Sequence, residues 1–401
     1  MDFEERFDVI VAGAGVAGIA AALECARSGL TTALVEKTLL TGGLATSGLI
    51  YAYLPLCDGN GRQVTFGIAE ELLHLSIRYG PGDVPAGWRS ARNAPEALRY
   101  FTTFSPAAFV LALDEALEEA GVHIRLDTLV CAPVMESDRV VGVEVENTDG
   151  RGVFRAACLI DATGDALLAY RAGATCVTAD NWLSVWALNA SLEKAQEAVR
   201  AGSGHALLDL LALGGDHTGE GLSGEEGKFD GTSARELTRF VLEGRKLLRE
   251  HYRKSHAKGG ISDRHNVFPV ALPTLAQFRT TRHVVGRVTL SDDQHGRRAD
   301  DAIGMVADWR KPGCIWEIPY GTLVPKEVKG LLVAGRCISS EGDAWEVTRV
   351  IPAAALTGQA AGAAAVLSVK SKTPADELDP EEVQQRLRQH GIPLHIDEIT
   401  T

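Results

Sequence analysis

What this 401-residue sequence lacks narrows its chemistry before any motif is read. Its seven cysteines (Cys25, Cys57, Cys131, Cys158, Cys176, Cys314 and Cys337) form no C-x-x-C and no zinc-like spacing, so neither a dithiol–disulfide enzyme nor a metal site is expected. They read as reduced core residues of a cytoplasmic protein. Cations are in deficit: 40 Lys and Arg against 53 Asp and Glu leave a formal charge of −13, which disfavours nucleic acid as a partner. The acidic start Met1-Asp-Phe-Glu-Glu-Arg has no basic region leading into an apolar run, so no secretory signal is expected. Long strongly apolar runs are missing too. The least polar stretch, Pro352 to Leu367, is mostly Ala and Gly and contains Thr357 and Gln359, so it reads as too short and too weakly apolar to span a membrane. A helix packed closely against a neighbour is expected there instead. With 45% hydrophobic and 23% charged residues, the chain is of ordinary globular composition and long enough for two cores.

What is present begins at Phe7-Asp-Val-Ile-Val-Ala-Gly-Ala-Gly-Val-Ala-Gly18, followed by an alanine-rich helix and Leu34-Val-Glu36-Lys37. An apolar strand, a glycine turn, a small-residue helix and a second strand ending on an acid make a βαβ unit with G-x-G-x-x-G at its first turn. Gly13 permits the turn, Gly15 lets a pyrophosphate approach the backbone, and Gly18 lets the helix lie close. The helix opening at about Val16 and Ala17 turns its free N–H groups and positive dipole end toward that pyrophosphate. Glu36, eighteen residues after Gly18, stands where a carboxylate accepts hydrogen bonds from an adenosine ribose and repels a 2′-phosphate, which argues against NADP. The motif alone does not separate FAD from NAD.

Further along, Thr38 to Gly48, with Gly42, Gly43, Thr46 and Ser47, is a glycine and hydroxyl loop suited to donate to phosphate and ring edges. A helix is expected from about Val64 to Tyr79, then a Pro/Gly-rich loop (Pro81 to Asn93, with Trp88 and Arg89), then a helix from Pro106 with Ser105 as its cap. Strands are expected at 122–127, 129–135, 140–146 and 152–160, the last ending in Asp161-Ala-Thr-Gly-Asp165. From Trp182 to about Pro312 the composition changes. A strand, two helices, a charged loop (Gly214 to Lys228) and a long helix from Ser233 to about Lys254 are expected, with His251 on the core stripe as a structural histidine. Ile315 to Pro325 reads as an edge strand, Gly330 to Arg336 as a buried parallel strand with a glycine turn, and 379–390 as a short helix ended by Gly391. Within the changed region, Gln277-Phe-Arg279-Thr-Thr-Arg282-His283 packs two arginines and a histidine into seven residues, candidates to clamp an anionic substrate or to transfer a proton.

Four separated segments (VIVAGAGVAG with Glu36, the Gly42-Gly43 loop, DATGD, and GLLVAGR with RVIPAAALTGQAAGAAA) together resemble the FAD-dependent oxidoreductases of the glutathione-reductase-like fold, a bacterial branch of undefined substrate. The resemblance covers nearly the whole chain and is weakest from about Trp182 to Asp263. It implies an α/β Rossmann-like FAD-binding domain of glutathione-reductase type, built from residues 1–180 and 313–375. An inserted α+β substrate domain (181–312) and a C-terminal helix and tail (376–401) complete the expected architecture. The cofactor shell it implies is Gly13, Gly15, Val16, Ala17, Gly18, Glu36, Lys37, Gly42, Gly43, Thr46, Ser47, Val130, Ala162, Thr163, Gly164, Gly335, Arg336, Ile351, Pro352 and Ala353. Gly335 would reach the flavin, and the helix opening at Pro352 would aim its N-terminus at the flavin N1 and O2 edge, where reduced flavin carries negative charge. Many relatives have an acid where this chain has Arg336, so Arg336 is expected to pair with the pyrophosphate, with Asp343 or Glu341 as the alternative holders of the acid's role. No second G-x-G-x-x-G follows a later strand, so a dedicated NAD(P)H domain is not expected. Electrons then enter and leave through one site, from a small organic, possibly anionic, substrate or a separate electron acceptor. The expected reaction is hydride transfer between that substrate and flavin N5. The rivals are a fumarate-reductase-type double-bond reductase with an arginine acid, and a binding module that keeps the fold without the chemistry.

Overall fold

The computed structural model describes residues 1–84, 88, 101–216, 218–220 and 227–399. Arg89, most of the expected Pro81–Asn93 loop and much of the Gly214–Lys228 loop lie outside the described residues. The first part runs β1 (Phe3–Ala12), α1 (Val16–Arg27), β2 (Thr32–Val35), β3 (Ala52–Tyr53), α2 (Ile68–Ile77), β4 (Thr102–Thr103), α3 (Pro106–Glu119), β5 (His123–Arg125), β6 (Leu129–Glu136), β7 (Arg139–Asn147), β8 (Gly150–Asp161) and α4 (Leu167–Arg171). There follow β9 (Cys176–Thr178), β10 (Asp180–Trp182), β11 (Ser184–Ser191), α5 (Leu192–Ala201), β12 (Asp209–Gly214), β13 (Lys228–Asp230), α6 (Ala234–His256), β14 (Val267–Ala271) and β15 (Arg282–Val284). The last part is β16 (Ala302–Ala307), β17 (Ile315–Pro319), β18 (Leu331–Val333), α7 (Gly342–Thr348), α8 (Ile351–Ser371) and α9 (Pro380–Gln389).

The main sheet has the order β5-β2-β1-β8-β7-β6, with β18 also paired to β8. Strands β5, β2, β1, β8 and β18 are mutually parallel, and the long β8 turns back on β7 in an antiparallel hairpin. Register decides where the site lies. Ala12 stands opposite both Val35 and Asp161, and Asp161 stands opposite Val333, so the carboxyl ends of β1, β2, β8 and β18 finish level with one another. That level edge is where α/β sheets bind ligands. This is an α/β, Rossmann-like fold.

Helices α1 and α8 both reach the sheet and pack closely on each other, because both offer almost no side chain at their crossing. A Cβ on Gly358 would stand 2.1 Å from the Ala17 carbonyl oxygen, and one on Gly362 would stand 2.7 Å from that of Ala21. The neighbour expected for the alanine-rich stretch is therefore α1. The helix is longer than the sequence suggests: its 21 residues reach the length and composition of a membrane span, but 83% of an 18-residue window within it is buried inside this fold. The tail joins the same core. Leu387, Ile392 and Leu394 are buried in it, and Glu24 of α1 holds Arg386 at 2.6 Å.

A second set of small cores forms from residues 183–278: Leu183, Phe229, Phe240 and Phe278 in one cluster, and Val185, Ala187, Leu248 and Tyr252 in another. They cover the three-stranded sheet β12-β11-β14. Three expectations change here and nearby. Where a second helix was expected after α5, Asp209–Gly214 is a strand that pairs with β11, because its alternating residues find a partner sheet to cover. Residues 302–307, expected within the inserted region, form β16 against β17 and pack into the main core. Helix α2 begins at Ile68, four residues later than expected, because Val64 and Thr65 donate to the Leu56 carbonyl (2.8 and 3.1 Å) before Gly67 turns the chain. His251 is half-buried, as its place on the stripe implied, and burial lowers its pKa.

Candidate functional site

The level edge of the sheet gathers the four segments. Gly13 holds φ +100, donates to the Val35 carbonyl at 2.7 Å and leaves room for Ala162, whose carbonyl would stand 2.6 Å from a Cβ there. Gly18 fits only as glycine, since a Cβ would lie 1.9 Å from the Gly13 oxygen. At Gly15 the opposite holds: nothing lies within 4 Å of where a Cβ would point, and φ −70 is open to any residue. The glycine at that position is not required by protein packing. Beyond it the N-terminus of α1, with no side-chain cap, offers the buried Val16, Ala17 and Gly18. Helix N-termini with uncapped amides attract anions. An open approach over uncapped amides fits the diphosphate of a dinucleotide.

Glu36 is buried at the end of β2. One oxygen accepts from the Ala14 N–H at 2.9 Å, and the other from the N–H and hydroxyl of Thr38, each at 2.9 Å. The carboxylate is thus fixed beside the glycine turn, with lone pairs left for a ribose. Lys37 is exposed, and Val130 is buried two residues beyond Thr128, whose N–H donates to the Glu36 carbonyl at 3.0 Å.

The Gly42–Ser47 loop lies directly on this turn: Gly42 N–H donates to the Ala14 carbonyl at 2.8 Å, and a Cβ on Gly43 would come within 2.9 Å of the Gly15 Cα. Of its two hydroxyls, Thr46 is spent inside the loop, donating to the Thr41 carbonyl, which corrects its expected role as a donor to the cofactor. Ser47 Oγ is buried and has no hydrogen-bond partner among the described residues. A buried polar atom of this kind calls for a bound group.

In the DATGD turn, the fully buried Asp161 carboxylate accepts from Thr163 N–H (3.0 Å), Thr163 hydroxyl (2.7 Å) and Ala169 N–H (2.8 Å), while burial still pushes its pKa up. Thr163 Oγ also accepts from Leu167 N–H at 3.0 Å, so its side chain closes the turn and is not free for a cofactor. Ala162 and Gly164 offer backbone alone. At the next turn Gly335 N–H donates to Thr357 Oγ at 3.0 Å, and a Cβ on Gly335 would stand 2.9 Å from that of Ala17. Ile351, Pro352 and Ala353 open α8 with Val350 at the N-cap and no side-chain cap, as expected.

Arg336 departs from its expected place on a pyrophosphate. Its guanidinium reaches Asp165 (2.5 Å), the Gly164 carbonyl (2.8 Å) and the Phe278 carbonyl, so it ties the DATGD turn to the inserted region. Asp343 is no free substitute, because it pairs with Arg310 (3.2 Å) and with Lys311.

The Arg279, Arg282 and His283 candidates do not converge. Arg282 and His283 are neighbours on β15, so their side chains leave opposite faces. The Arg282 guanidinium stacks 3.9 Å over the Tyr170 ring, with its Nε unpartnered among the described residues. His283 donates from Nδ1 to the Val284 carbonyl at 2.9 Å and packs edge-on against Trp345, and burial lowers its pKa. Arg279 points elsewhere again, to the carbonyls of Gly215 and Asp216, both at 3.3 Å. It has no carboxylate within ion-pair distance among the described residues. Burial, and next the charge of Arg349, lower its pKa. Residues that the sequence did not single out join the two regions. Thr274 N–H donates to the Ser47 carbonyl at 2.8 Å, and Gln277 Nε donates to the Gly48 carbonyl at 2.5 Å.

Among the described residues no group of three His, Cys, Asp or Glu side chains is placed to hold a metal ion. All seven cysteines are free.

Comparison with known proteins places the chain in a family. The model of the family described as FAD dependent oxidoreductase matches residues 8–199 and 189–387. Protein FixC of Bradyrhizobium diazoefficiens is 30% identical over 185 residues, which is 42% of this chain and 40% of FixC. The probable electron transfer flavoprotein-quinone oxidoreductase YgcN of Escherichia coli is 30% identical over 187 residues, 42% of this chain and 39% of YgcN. A thioredoxin reductase of Ureaplasma parvum is 34% identical over 74 residues, 18% of this chain and 24% of the reductase. The matched stretch therefore spans two-fifths or less of each of these relatives. Among solved structures, p-nitrophenol 4-monooxygenase PnpA from Pseudomonas putida aligns over 96% of this chain and 84% of its own at 13% identity and a TM-score of 0.49. With the family matched along nearly its whole length and its glycine turns gathered at one sheet edge, the chain belongs to the FAD dependent oxidoreductase family.

Proposed function

We propose that this oxidoreductase exchanges a hydride between flavin N5 and a small organic anion, within the glutathione-reductase-like branch of flavoproteins. The observation that carries the reading is the seam between the two regions. The segment 274–279 of the inserted region is hydrogen-bonded to the Ser47 and Gly48 carbonyls of the loop that lies over Gly15. A substrate held by the inserted region is thereby kept against the cofactor. Flavin, when bound, supplies the two-electron chemistry. The protein's share is to bind, orient and exclude water. Gly13, Gly15, Gly18 and the α1 N-terminus would hold the diphosphate and Glu36 the ribose, and the uncapped α8 N-terminus at Ile351–Ala353 would stabilise negative charge on the reduced flavin.

Arg279 is the residue assigned to the substrate's negative charge. Its half-buried guanidinium is bonded, among the described residues, to two neutral carbonyls and makes no ion pair, so it can gain from an anionic ligand. The test is anaerobic flavin bleaching by a panel of hydroxy acids and amino acids, each beside its neutral alcohol or amine counterpart. The carboxylates should react faster, and Arg279→Met should raise their apparent Kd about 10–100-fold, the loss of one charged hydrogen-bonded contact of ~1.5–3 kcal/mol. Equal reaction of neutral counterparts, or unchanged binding by the variant, contradicts the assignment.

A further inference from the structure

Tyr51 follows the flavin-bordering loop by four residues and is fully buried, but its hydroxyl has no hydrogen-bond partner among the described residues. Leaving a buried hydroxyl unpaired costs about 1–3 kcal/mol. Phenylalanine would fill the same space without that cost. The oxygen is therefore unexplained by folding, and the backbone that carries it is fixed. Ile50 N–H is held on the Leu44 carbonyl at 3.0 Å, and the Tyr51 carbonyl accepts from Phe104 N–H at 3.2 Å. Ser47, on the same loop, carries a second hydroxyl without a partner among the described residues; the third, Ser340, lies elsewhere in the chain. Both belong to the stretch that the inserted region clamps through Thr274 and Gln277.

Across the seam stands a polar chain on the inserted sheet. Tyr252 hydroxyl donates to Asn189 Oδ at 2.9 Å, and Asn189 Nδ donates to the Asp209 carboxylate at 2.8 Å. Asp209 also acts on Tyr51. Burial first, and the Asp209 charge second, raise the pKa of the Tyr51 phenol, and the same two causes push Tyr252 up to about 12. Both phenols stay protonated at neutral pH. On its other side Asp209 lines an open cleft of about 450 Å³ with His205, Leu208 and Leu210, which gives water a path to this carboxylate. The acid–base candidates suggested by the sequence are otherwise engaged, Arg282 on Tyr170 and His283 on the Val284 carbonyl.

We propose that Tyr51 is the catalytic acid that delivers the proton accompanying hydride transfer, to a polarised C=C or C=O bond of a substrate seated between residues 43–51 and strands β11 and β12. This rests on the hydride-transfer reading above. The balance is simple. One hydride, which carries both electrons, would reach one end of the double bond from the flavin, and the negative charge that develops at the other end breaks the Tyr51 O–H bond and takes its proton. The phenolate is reprotonated by water that enters past Asp209. Ser47 Oγ is left to hydrogen-bond the same substrate or the ring edge.

The experiment uses the full-length holoenzyme and Tyr51→Phe. Each is reduced anaerobically and mixed with fumarate, crotonate or pyruvate, and flavin reoxidation is followed in water and in deuterium oxide. The thermal midpoint of the flavin-free proteins is measured alongside. The proposal expects Tyr51→Phe to slow reoxidation by about 10²–10⁴-fold and to abolish the solvent isotope effect, the range for losing one positioned acid. It also expects FAD content to hold and the flavin-free variant to melt no lower than the wild type. Reoxidation by the variant at the wild-type rate overturns it. So does a flavin-free variant that melts several degrees lower, because the hydroxyl then has a structural partner. If no panel member reoxidises the wild type, the substrate reading above fails, and the melting comparison decides alone whether the Tyr51 hydroxyl is kept for a ligand.

Discussion

Replacing Gly15 with alanine separates holding the cofactor from folding the chain. The backbone there has φ −70 and ψ 173, open to any L-residue, and the new methyl would meet no atom within 4 Å. Two small effects on the flavin-free protein oppose each other. Alanine narrows the unfolded ensemble, a gain of about 0.4–1 kcal/mol. It is also a poorer N-cap than glycine, a loss of similar size, on the order of 0.5–1 kcal/mol. The net is close to zero, and for 401 residues, with an unfolding entropy of roughly 0.8 kcal/mol/K, the melting midpoint moves by about 1 °C or less. FAD meets a different situation, because the methyl fills the approach to the amides of Val16, Ala17 and Gly18. Losing two charge-assisted bonds at ~1.5–3 kcal/mol each weakens FAD about 10²–10⁴-fold. Circular dichroism of the flavin-free protein and quenching of FAD fluorescence on titration measure the two quantities. FAD affinity unchanged within about threefold, or a large drop in the melting midpoint, refutes the reasoning. Gly18→Ala is the contrast: its Cβ would lie 1.9 Å from the Gly13 oxygen, so it should destabilise the flavin-free protein itself.

Two further outcomes follow from packing and titration. Gly358→Val forces α8 away from the Ala17 carbonyl, which a Cβ would meet at 2.1 Å, and should cost about 1–3 kcal/mol or more while also weakening FAD, seen as lower melting and lower flavin content together. His283 is held below its ordinary pKa by burial, so the unfolded chain binds its proton more tightly. Stability from this group is therefore present at neutral pH and lost as pH falls through the unfolded value of about 6.5 toward the lower folded one, with a slope of at most ~1.4 kcal/mol per pH unit. In a melting series from pH 7.5 to 5, His283→Asn should fall less steeply than the wild type, and parallel curves would count against a buried neutral imidazole.

The glycine turns were legible because each is a local device: a strand, a glycine that a turn requires, a helix, and an acid at a fixed distance. Their gathering at one edge was not local. It depends on the register that sets Ala12 against Val35 and Asp161, and on β18 joining β8 from more than 160 residues away. The strand β12 was missed because Asp-Leu-Leu-Ala-Leu-Gly suits a helix or a strand, and only its pairing with β11 decides. The Arg279–His283 cluster misled for the same kind of reason. Proximity in sequence places Arg282 and His283 on opposite faces once the segment is a strand, and Arg336 satisfies Asp165 across 171 residues. Nothing in the sequence marks Tyr51 or Asp209, whose interest lies in a missing partner and in a neighbour 158 residues away.

The central claim is that four turns at one sheet edge hold a single FAD. A crystal structure of the protein grown with FAD tests it most directly. Density for the diphosphate over Gly15, with the adenosine ribose on Glu36 and the flavin ring beside Ser47, is the predicted result. A diphosphate bound anywhere else, or a bare Gly13–Gly18 turn under saturating FAD, would contradict it.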